Sequence, residues 1–468
     1  MSRFIKDERK INNIITMEET KMKRLNDSRA VRWGALAIVA FTMMAAYYVN
    51  DVVAPLKTML ETELKWDSSA FGLYTGAYSF LNVFFLMLIW GGLILDRFGI
   101  RFTGKLATVL MVLGTGLEYY AMTCMVDDEA MVMGYRISVF VASVGYSIFG
   151  VGAEVAGITV TKMIAKWFRG KEMATAMGVQ VALARIGSQA AYAVAIPIAR
   201  SYEITTPVLI GLVCLVGGLI AFFAFSVLDK KLDRQIEAEP DASPEEKFSF
   251  RDVAKILSNP GFWLIALLCV LFYSCVFPFQ KFASELMISK YGIDENVAGF
   301  FAGLPALGAL FLTPVFGGMV DKRGKAASIM MLGSFMLICV HLIYALPFIT
   351  SSFIAILLMI LLGIAFSLVP SAMWPSVAKI FPSHQLGTAY ALIFFIQNIG
   401  LWGIPTLIGA VLKEFCVVGK TESGANLYDY TLPMCIFTGI AVLSLFIAFA
   451  LKLADRKYGY KLEEANIK

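Results

Sequence analysis

Apolar runs of about twenty residues recur twelve times along the chain, and this recurrence limits its fold more than any other feature. A helix rising about 1.5 Å per residue needs roughly 20 apolar residues to cross the hydrocarbon of a bilayer. The runs have that length, are rich in Gly and lack the roughly ten-residue alternation of barrel strands. With 58% hydrophobic residues and a mean hydropathy of +0.72, 468 residues carry more apolar surface than soluble domains of that length bury. The expected fold class is an all-α membrane protein of 12 transmembrane helices.

Orientation follows from Lys and Arg in the loops. Most of the 40 basic residues fall in the two tails and in the loops after spans 2, 4, 6, 8 and 10. Both termini are therefore expected in the cytoplasm. The net charge of +5 reads as a sorting signal and as attraction to an anionic leaflet, with no nucleic-acid partner. The first 30 residues are charged and show no short apolar core with a cleavage site, so no removable signal peptide is expected.

Neither a cofactor nor a metal is expected. The seven Cys lie mostly within spans, without a CxxC pair, and read as small hydrophobes; a Cys416–Cys435 bridge outside the membrane is the alternative. An intramembrane enzyme would need a nucleophile and base or a metal set. The two His do not supply one, since His341 is alone in span 9 and His384 lies in a turn.

The chain repeats itself. AKWFRGKEMATAMGVQVALARIG from Ala165 aligns without gaps with AKIFPSHQLGTAYALIFFIQNIG from Ala378, and GLILDRFG from Gly92 aligns with GGMVDKRG from Gly317. Between the copies, residues 229–250 form a charged, Pro-containing stretch. The expected organisation is a tail (1–30), a six-helix bundle (31–228), a linker (229–260), a second six-helix bundle (261–453) and a tail (454–468). Parallel duplication of six spans suits a carrier that rocks two bundles about a central site.

The motif after span 2 is GxxxDRxGxR: Gly92, Asp96, Arg97, Gly99 and Arg101. Its second copy supplies Gly317, Asp321, Lys322 and Gly324. The glycines permit a tight turn and close helix contact, while Asp96 can meet a helix N-terminus or a basic group across the boundary between the halves. This is the expected conformational gate. Here the chain resembles the major facilitator superfamily, and the resemblance implies two pseudo-symmetric bundles and alternating access around a midplane cavity.

Two charges lie deep in the first half. Glu154 in span 4 and Arg185 in span 5 are nearly equidistant from the turn around Arg169, and in an antiparallel hairpin equal distance means equal depth. An unpaired charge at mid-bilayer costs a few kcal/mol or more, so both should face protein or water, and most simply each other. One reading is a buried pair that only fixes the hairpin. The other is a clamp for a zwitterion, with the guanidinium on a carboxylate and the carboxylate on an ammonium. In the repeat Arg185 aligns with Asn398 and Glu154 with Ser367, which suggests that charge is confined to the first half. The second half offers Trp374, Gln397 and Asn398, which also fit a packed kink and interhelical hydrogen bonds.

Several stretches resemble one branch of the superfamily, that of the lysosomal dipeptide uniporter: AYSFLNVFF with GGLILDRFGIR, GVGAEVAGITVTKMIAKWFRGKE with QVALARIGS, FYSCVFPFQKF, and MWPSVAKIFPSHQLGTAYA with FIQNIGL. The resemblance implies a small-molecule substrate, a dipeptide, held between Glu154 and Arg185, with Trp374, Gln397 and Asn398 lining the cavity. Asp51, Asn82 and Tyr273 fall at comparable positions. It further implies a homodimer, and a glycosylated accessory subunit for an animal lysosomal member. The tail lacks an acidic dileucine signal, since ERKINNII has one spacer residue too many, so a bacterial inner membrane is expected ahead of a lysosomal one. A proton-coupled carrier of organic anions, with Arg185 as anion site and Glu154 as proton site, and a carrier-like membrane sensor are the alternatives. Glu118, near the external end of span 3, is expected to face water or a tyrosine hydroxyl, with a coupling role as the alternative, and Lys162 to reach the cytoplasmic surface.

Overall fold

A computed structural model describes residues 24–169, 171–236, 250–382, 385–420 and 424–465. The tail before residue 24, the middle of the linker (237–249) and His384 lie outside the described residues. The long helices are α1 (Arg29–Val52), α2 (Ser68–Phe84), α3 (Met87–Cys124), α4 (Ile137–Trp167), α5 (Met173–Ser201), α6 (Thr206–Ile236), α7 (Pro260–Ser289), α8 (Leu304–Arg323), α9 (Ala326–Ala345), α10 (Ser352–Ile380), α11 (Leu386–Phe415) and α12 (Thr431–Tyr458). Among the described residues, 11 helical stretches are long and apolar enough to cross a membrane. The shorter α2 accounts for the difference from twelve: Leu86, in the left-handed region at φ 54, breaks the second apolar run, and α3 carries it onward to Gly99.

Gly99 has φ 75 and interrupts α3, turning the chain from the second run into the third. Gly324, its partner in the repeat, has φ 67 and ends α8. Glycine tolerates this region without the clash a Cβ would bring, so the duplication is visible in the backbone as well as the sequence.

Caps fix several helix starts. The Asp67 carboxylate accepts from the Ala70 N–H to begin α2, and the Asn259 side chain accepts from the Gly261 N–H ahead of α7, with Pro260 at its first position. Helix α6 runs to Ile236, into the stretch expected as linker, because that turn is packed and bonded: Leu232 is buried, and Asp229 accepts from Lys166 and the Trp167 indole. A short helix, Phe250–Leu257, precedes α7.

Helices α1–α6 pack on one another, as do α7–α12, and the halves meet where α2 lies along α11 and α5 along α8. Chain ends mark one end of the bundle, here called proximal. There residue Leu25 reaches the end of α6, Asp27 reaches Lys171 beside α5, and Glu463 bonds the start of α9. At the opposite, distal end the halves are in backbone contact. A Cβ at Gly72 would lie 2.5 Å from the Pro405 carbonyl, and one at Gly76 2.5 Å from the Trp402 carbonyl. Two short hairpins decorate this end: β1 (Met131–Val132) with β2 (Tyr135–Arg136), and β3 (Val417–Lys420) with β4 (Asn426–Tyr428).

Candidate functional site

Glu154 and Arg185 stand on adjacent helices, half-buried, but do not pair with each other within 4 Å. Glu154 accepts a 3.1 Å hydrogen bond from the Tyr78 hydroxyl of α2. The Arg185 guanidinium lies 4.8 Å from the ring centroid of Phe366 on α10 and 5.7 Å from that of Tyr47 on α1. It thus reaches across the midline to the second half. The expected mutual pairing is replaced by ring-face contacts, which satisfy a cation's charge in part and leave its N–H donors free. Small residues allow this. The backbones of Gly150 and Tyr78, and of Gly187 and Met44, approach so closely that no Cβ would fit at either glycine, which draws α4 onto α2 and α5 onto α1.

The facing wall is aromatic. Phe366 contacts Phe277 (5.4 Å) and Tyr273 (6.3 Å); Tyr273 stacks on Phe277 (5.3 Å) and lies 6.5 Å from Trp374, whose indole donates to its hydroxyl at 3.3 Å. Trp374 continues to Phe394 at 4.8 Å and Tyr390 at 5.8 Å. Tyr273 also sits within electrostatic reach of Arg185 and Tyr47, and Tyr47 within reach of Glu154, Arg185 and Asp51. Glu154, Arg185, Tyr273 and Trp374 therefore belong to one cluster. The amides are deeper. Gln397 accepts from the Cys269 thiol at 3.4 Å, and Asn398 donates to the Phe394 carbonyl at 2.9 Å with its own side-chain oxygen unpartnered. Asn82 is 1% exposed with neither side-chain polar atom partnered.

Asp51, one turn beyond Tyr47 on α1, is bound 2.8 Å from Lys281 of α7 in an ion pair between the halves. Charge is not confined to the first half: α7 carries Lys281 and Glu285, and Glu285 pairs with Lys57 at 2.5 Å. Lys57 and Glu285 are 1% and 5% exposed, and the Tyr430 hydroxyl also donates to Glu285. Arg200 with Glu295, and Lys413 with Asp67 at 3.0 Å, join the halves at the same distal end. Glu61 adds to this end by accepting from Asn426 and from the Tyr428 hydroxyl of the β3–β4 hairpin. Sequence reasoning missed Tyr47, Tyr78, Phe366, Phe277, Lys57, Lys281 and Glu285. For Lys281 and Glu285 the signal was present, as two charges in the FQKFASEL stretch of an otherwise apolar run.

The motif residues lie at the proximal end. Asp96 meets Lys162 at 3.1 Å, Arg101 meets Asp233 at 3.0 Å, and Lys166 binds Asp229 at 2.8 Å, all within the first half. Arg97 lies over Phe98. A Cβ at Gly92 or Gly317 would meet nothing within 4 Å, so neither glycine is pressed by a neighbouring helix here. In the second copy, Lys322 lies in the last turn of α8, the Gly324 N–H donates to Val320, and Asp321 lies within electrostatic reach of Lys379. His341 is remote from the cluster, bonded through its ring to the Cys275 carbonyl and stacked on Phe437. Cys416 and Cys435 are free thiols.

A model of the Major Facilitator Superfamily matches residues 36–405. The chain belongs to this superfamily. Among curated proteins it is 29% identical to the lysosomal dipeptide transporter MFSD1 of Homo sapiens, over 81% of this chain and 79% of that one. It is 28% identical to MFSD1 of Mus musculus, over 92% of this chain and 88% of the relative. These similarities put it in the MFSD1-like branch. A more distant relative, at 24% over 58% of this chain and 49% of the other, is the probable anion transporter 2, chloroplastic, of Oryza sativa subsp. japonica. Among solved structures, the nucleoside transporter NupG superposes with a TM-score of 0.69 at 13% identity, covering 89% of this chain and 98% of that one. The D-xylose–proton symporter gives 0.64 at 16% identity, covering 89% and 97%. The chain is thus a multi-pass membrane transporter of small molecules and not an enzyme.

Proposed function

We propose that the chain is a facilitative dipeptide carrier that works by alternating access, with twelve spans, both termini in the cytoplasm and the distal end external. The basic residues at the proximal end support the orientation. The observation that carries the substrate reading is the unpaired state of Glu154 and Arg185 in one half-buried site. An internal salt bridge would have to be broken by each ligand. Here one carboxylate and one set of guanidinium donors stand open to a zwitterion. The termini of an extended dipeptide are about 6 to 7 Å apart, a span that Glu and Arg on neighbouring helices can bracket. A substrate ammonium neutralises Glu154, and a substrate carboxylate displaces Arg185 from the ring faces into bidentate bonding. Because the ligand supplies both charges, no co-ion is needed at this site, which suits uniport.

The gate follows from the same geometry. The tight distal contacts and the ion pairs crossing between the halves there support the reading of an externally closed state, as does the pairing of the motif charges Asp96 and Arg101 within their own half. In the opposite state Asp96, Arg97, Gly92 and Gly317 would come to the interface between halves.

Thermal-shift measurements on purified protein against dipeptides, free amino acids and organic anions test the reading. Dipeptides stabilise the wild type, with the logarithm of ligand concentration once it exceeds Kd, and Arg185→Ala removes that stabilisation. A second reading, suggested by the similarity to a probable anion transporter, has Arg185 binding a plain organic anion. It predicts that Glu154→Gln spares or strengthens anion binding, whereas the dipeptide reading predicts loss of peptide binding in the same variant.

A further inference from the structure

We propose that Glu118 of α3 is a proton-binding site, distinct from the Glu154–Arg185 clamp, whose protonation favours closure of the distal end. Glu118 is 0% exposed. The Tyr74 hydroxyl donates to one of its carboxyl oxygens at 2.5 Å, while the other oxygen is buried without a partner. No cation lies within 4 Å of it among the described residues. A charged carboxylate with an unpartnered oxygen in such a place is strongly disfavoured; a neutral acid is not. Close packing leaves little room for water, since a Cβ at Gly145 would come 2.7 Å from the Glu118 backbone nitrogen.

The neighbouring elements define what Glu118 faces. Tyr74 comes from α2 and Tyr146 from α4, their rings stacked at 4.7 Å. From α7, Lys281 acts on Glu118 through space, and from α1 comes Asp51, which holds Lys281 at 2.8 Å. Helix α6 brings its charges only at the proximal end, where Asp233 meets Arg101, and α11 brings Lys413, held by Asp67. Lys281 is held by Asp51 and forms no ion pair with Glu118, so burial and the unpartnered oxygen weigh against the charged form.

This site is tied to the boundary between halves. The Asn50 carbonyl accepts both from the Tyr146 hydroxyl at 2.7 Å and from Lys281 at 2.6 Å. When the second half swings away it takes Lys281 with it, uncovering Tyr146 and the stacked Tyr74 that seals Glu118. Water then reaches the carboxyl and stabilises its charged form. The closed state therefore binds the proton more tightly, and by linkage the proton favours the closed state.

Two measurements test this. In infrared spectra of the purified protein at neutral pH, a protonated-carboxyl band is present in the wild type, lost in Glu118→Gln and kept in Glu154→Gln. Glu118→Asp, which keeps an acid there, displaces the band instead of deleting it and serves should Glu118→Gln fail to fold. In proteoliposomes with equal pH on both sides, dipeptide exchange falls as pH rises between the open-state and closed-state midpoints of Glu118, by at most about tenfold per pH unit, and levels off beyond them, while in Glu118→Gln it is flat with pH. An unchanged band in Glu118→Gln, or the same pH profile in variant and wild type, overturns the proposal. If the wild type exchanges no dipeptide, the substrate reading fails and the infrared result alone decides this one.

Discussion

Arg185 rests its guanidinium on the faces of Phe366 and Tyr47 instead of on a carboxylate. Such contacts are worth about 0.5 to 2 kcal/mol, well below a bidentate bond in a site shielded from water. A ligand carboxylate can therefore capture Arg185 at little cost. Replacing Arg185 by Ala should weaken dipeptide binding by about 2 kcal/mol or more, some thirty-fold in Kd by isothermal titration. The Lys57–Glu285 pair is a different case, because both charges are buried and each already has its partner. Lys57→Ala strands Glu285 and should lower distal-end stability by about 3 to 5 kcal/mol, whereas a Lys57→Met, Glu285→Leu double variant should be near neutral. Thermal unfolding of the two variants side by side checks this. At the surface, hydrogen bonds from Lys171 and from Arg32 hold the Asp27 and Glu172 carboxyls below their usual range. Docking of the segment around Asp27 is then complete above the ordinary carboxylate range and is lost as pH falls below it. Hydrogen exchange of that segment at falling pH reads this directly.

Among the elements, α2 and α11 set how the halves meet. Gly72 and Gly409 pack backbone to backbone, so Gly72→Val should wedge the distal end apart. Spin labels at Tyr202→Cys and Phe348→Cys, exposed on opposite halves, should then report a longer distance. The helices themselves were legible in the sequence because an apolar run of fixed length has few other structures open to it in a bilayer. Gly99 and Gly324 were legible too, since a motif repeated in register marks the same turn twice. The break at Leu86 was not, because nothing in an unbroken apolar run marks a left-handed residue. Equal spacing from the Arg169 turn brought Glu154 and Arg185 to adjacent helices, but it says nothing of rotation about each helix axis. Their separate partners, Tyr78 and Phe366, come from tertiary packing. Asp51 with Lys281, and Lys57 with Glu285, escaped for the same reason, as each joins residues more than two hundred positions apart.

For the whole molecule, the distal end is held by ion pairs between halves and by glycine contacts, and the motif at the proximal end makes bonds within its own half. Such an arrangement assigns the two ends opposite duties: each must release when the other engages, and the ligand between them biases which one holds. In the proposed clamp Glu154 takes the amino end and Arg185 the carboxyl end of one small peptide. A cycle of binding affinities tests it most directly, pairing wild type, Glu154→Gln and Arg185→Ala with a free dipeptide, its N-acetylated form and its C-amidated form. With such a clamp the wild type loses affinity for both blocked forms, Glu154→Gln no longer distinguishes free from N-acetylated peptide, and Arg185→Ala no longer distinguishes free from C-amidated peptide. If each variant still discriminates against both blocked forms as the wild type does, the clamp is contradicted.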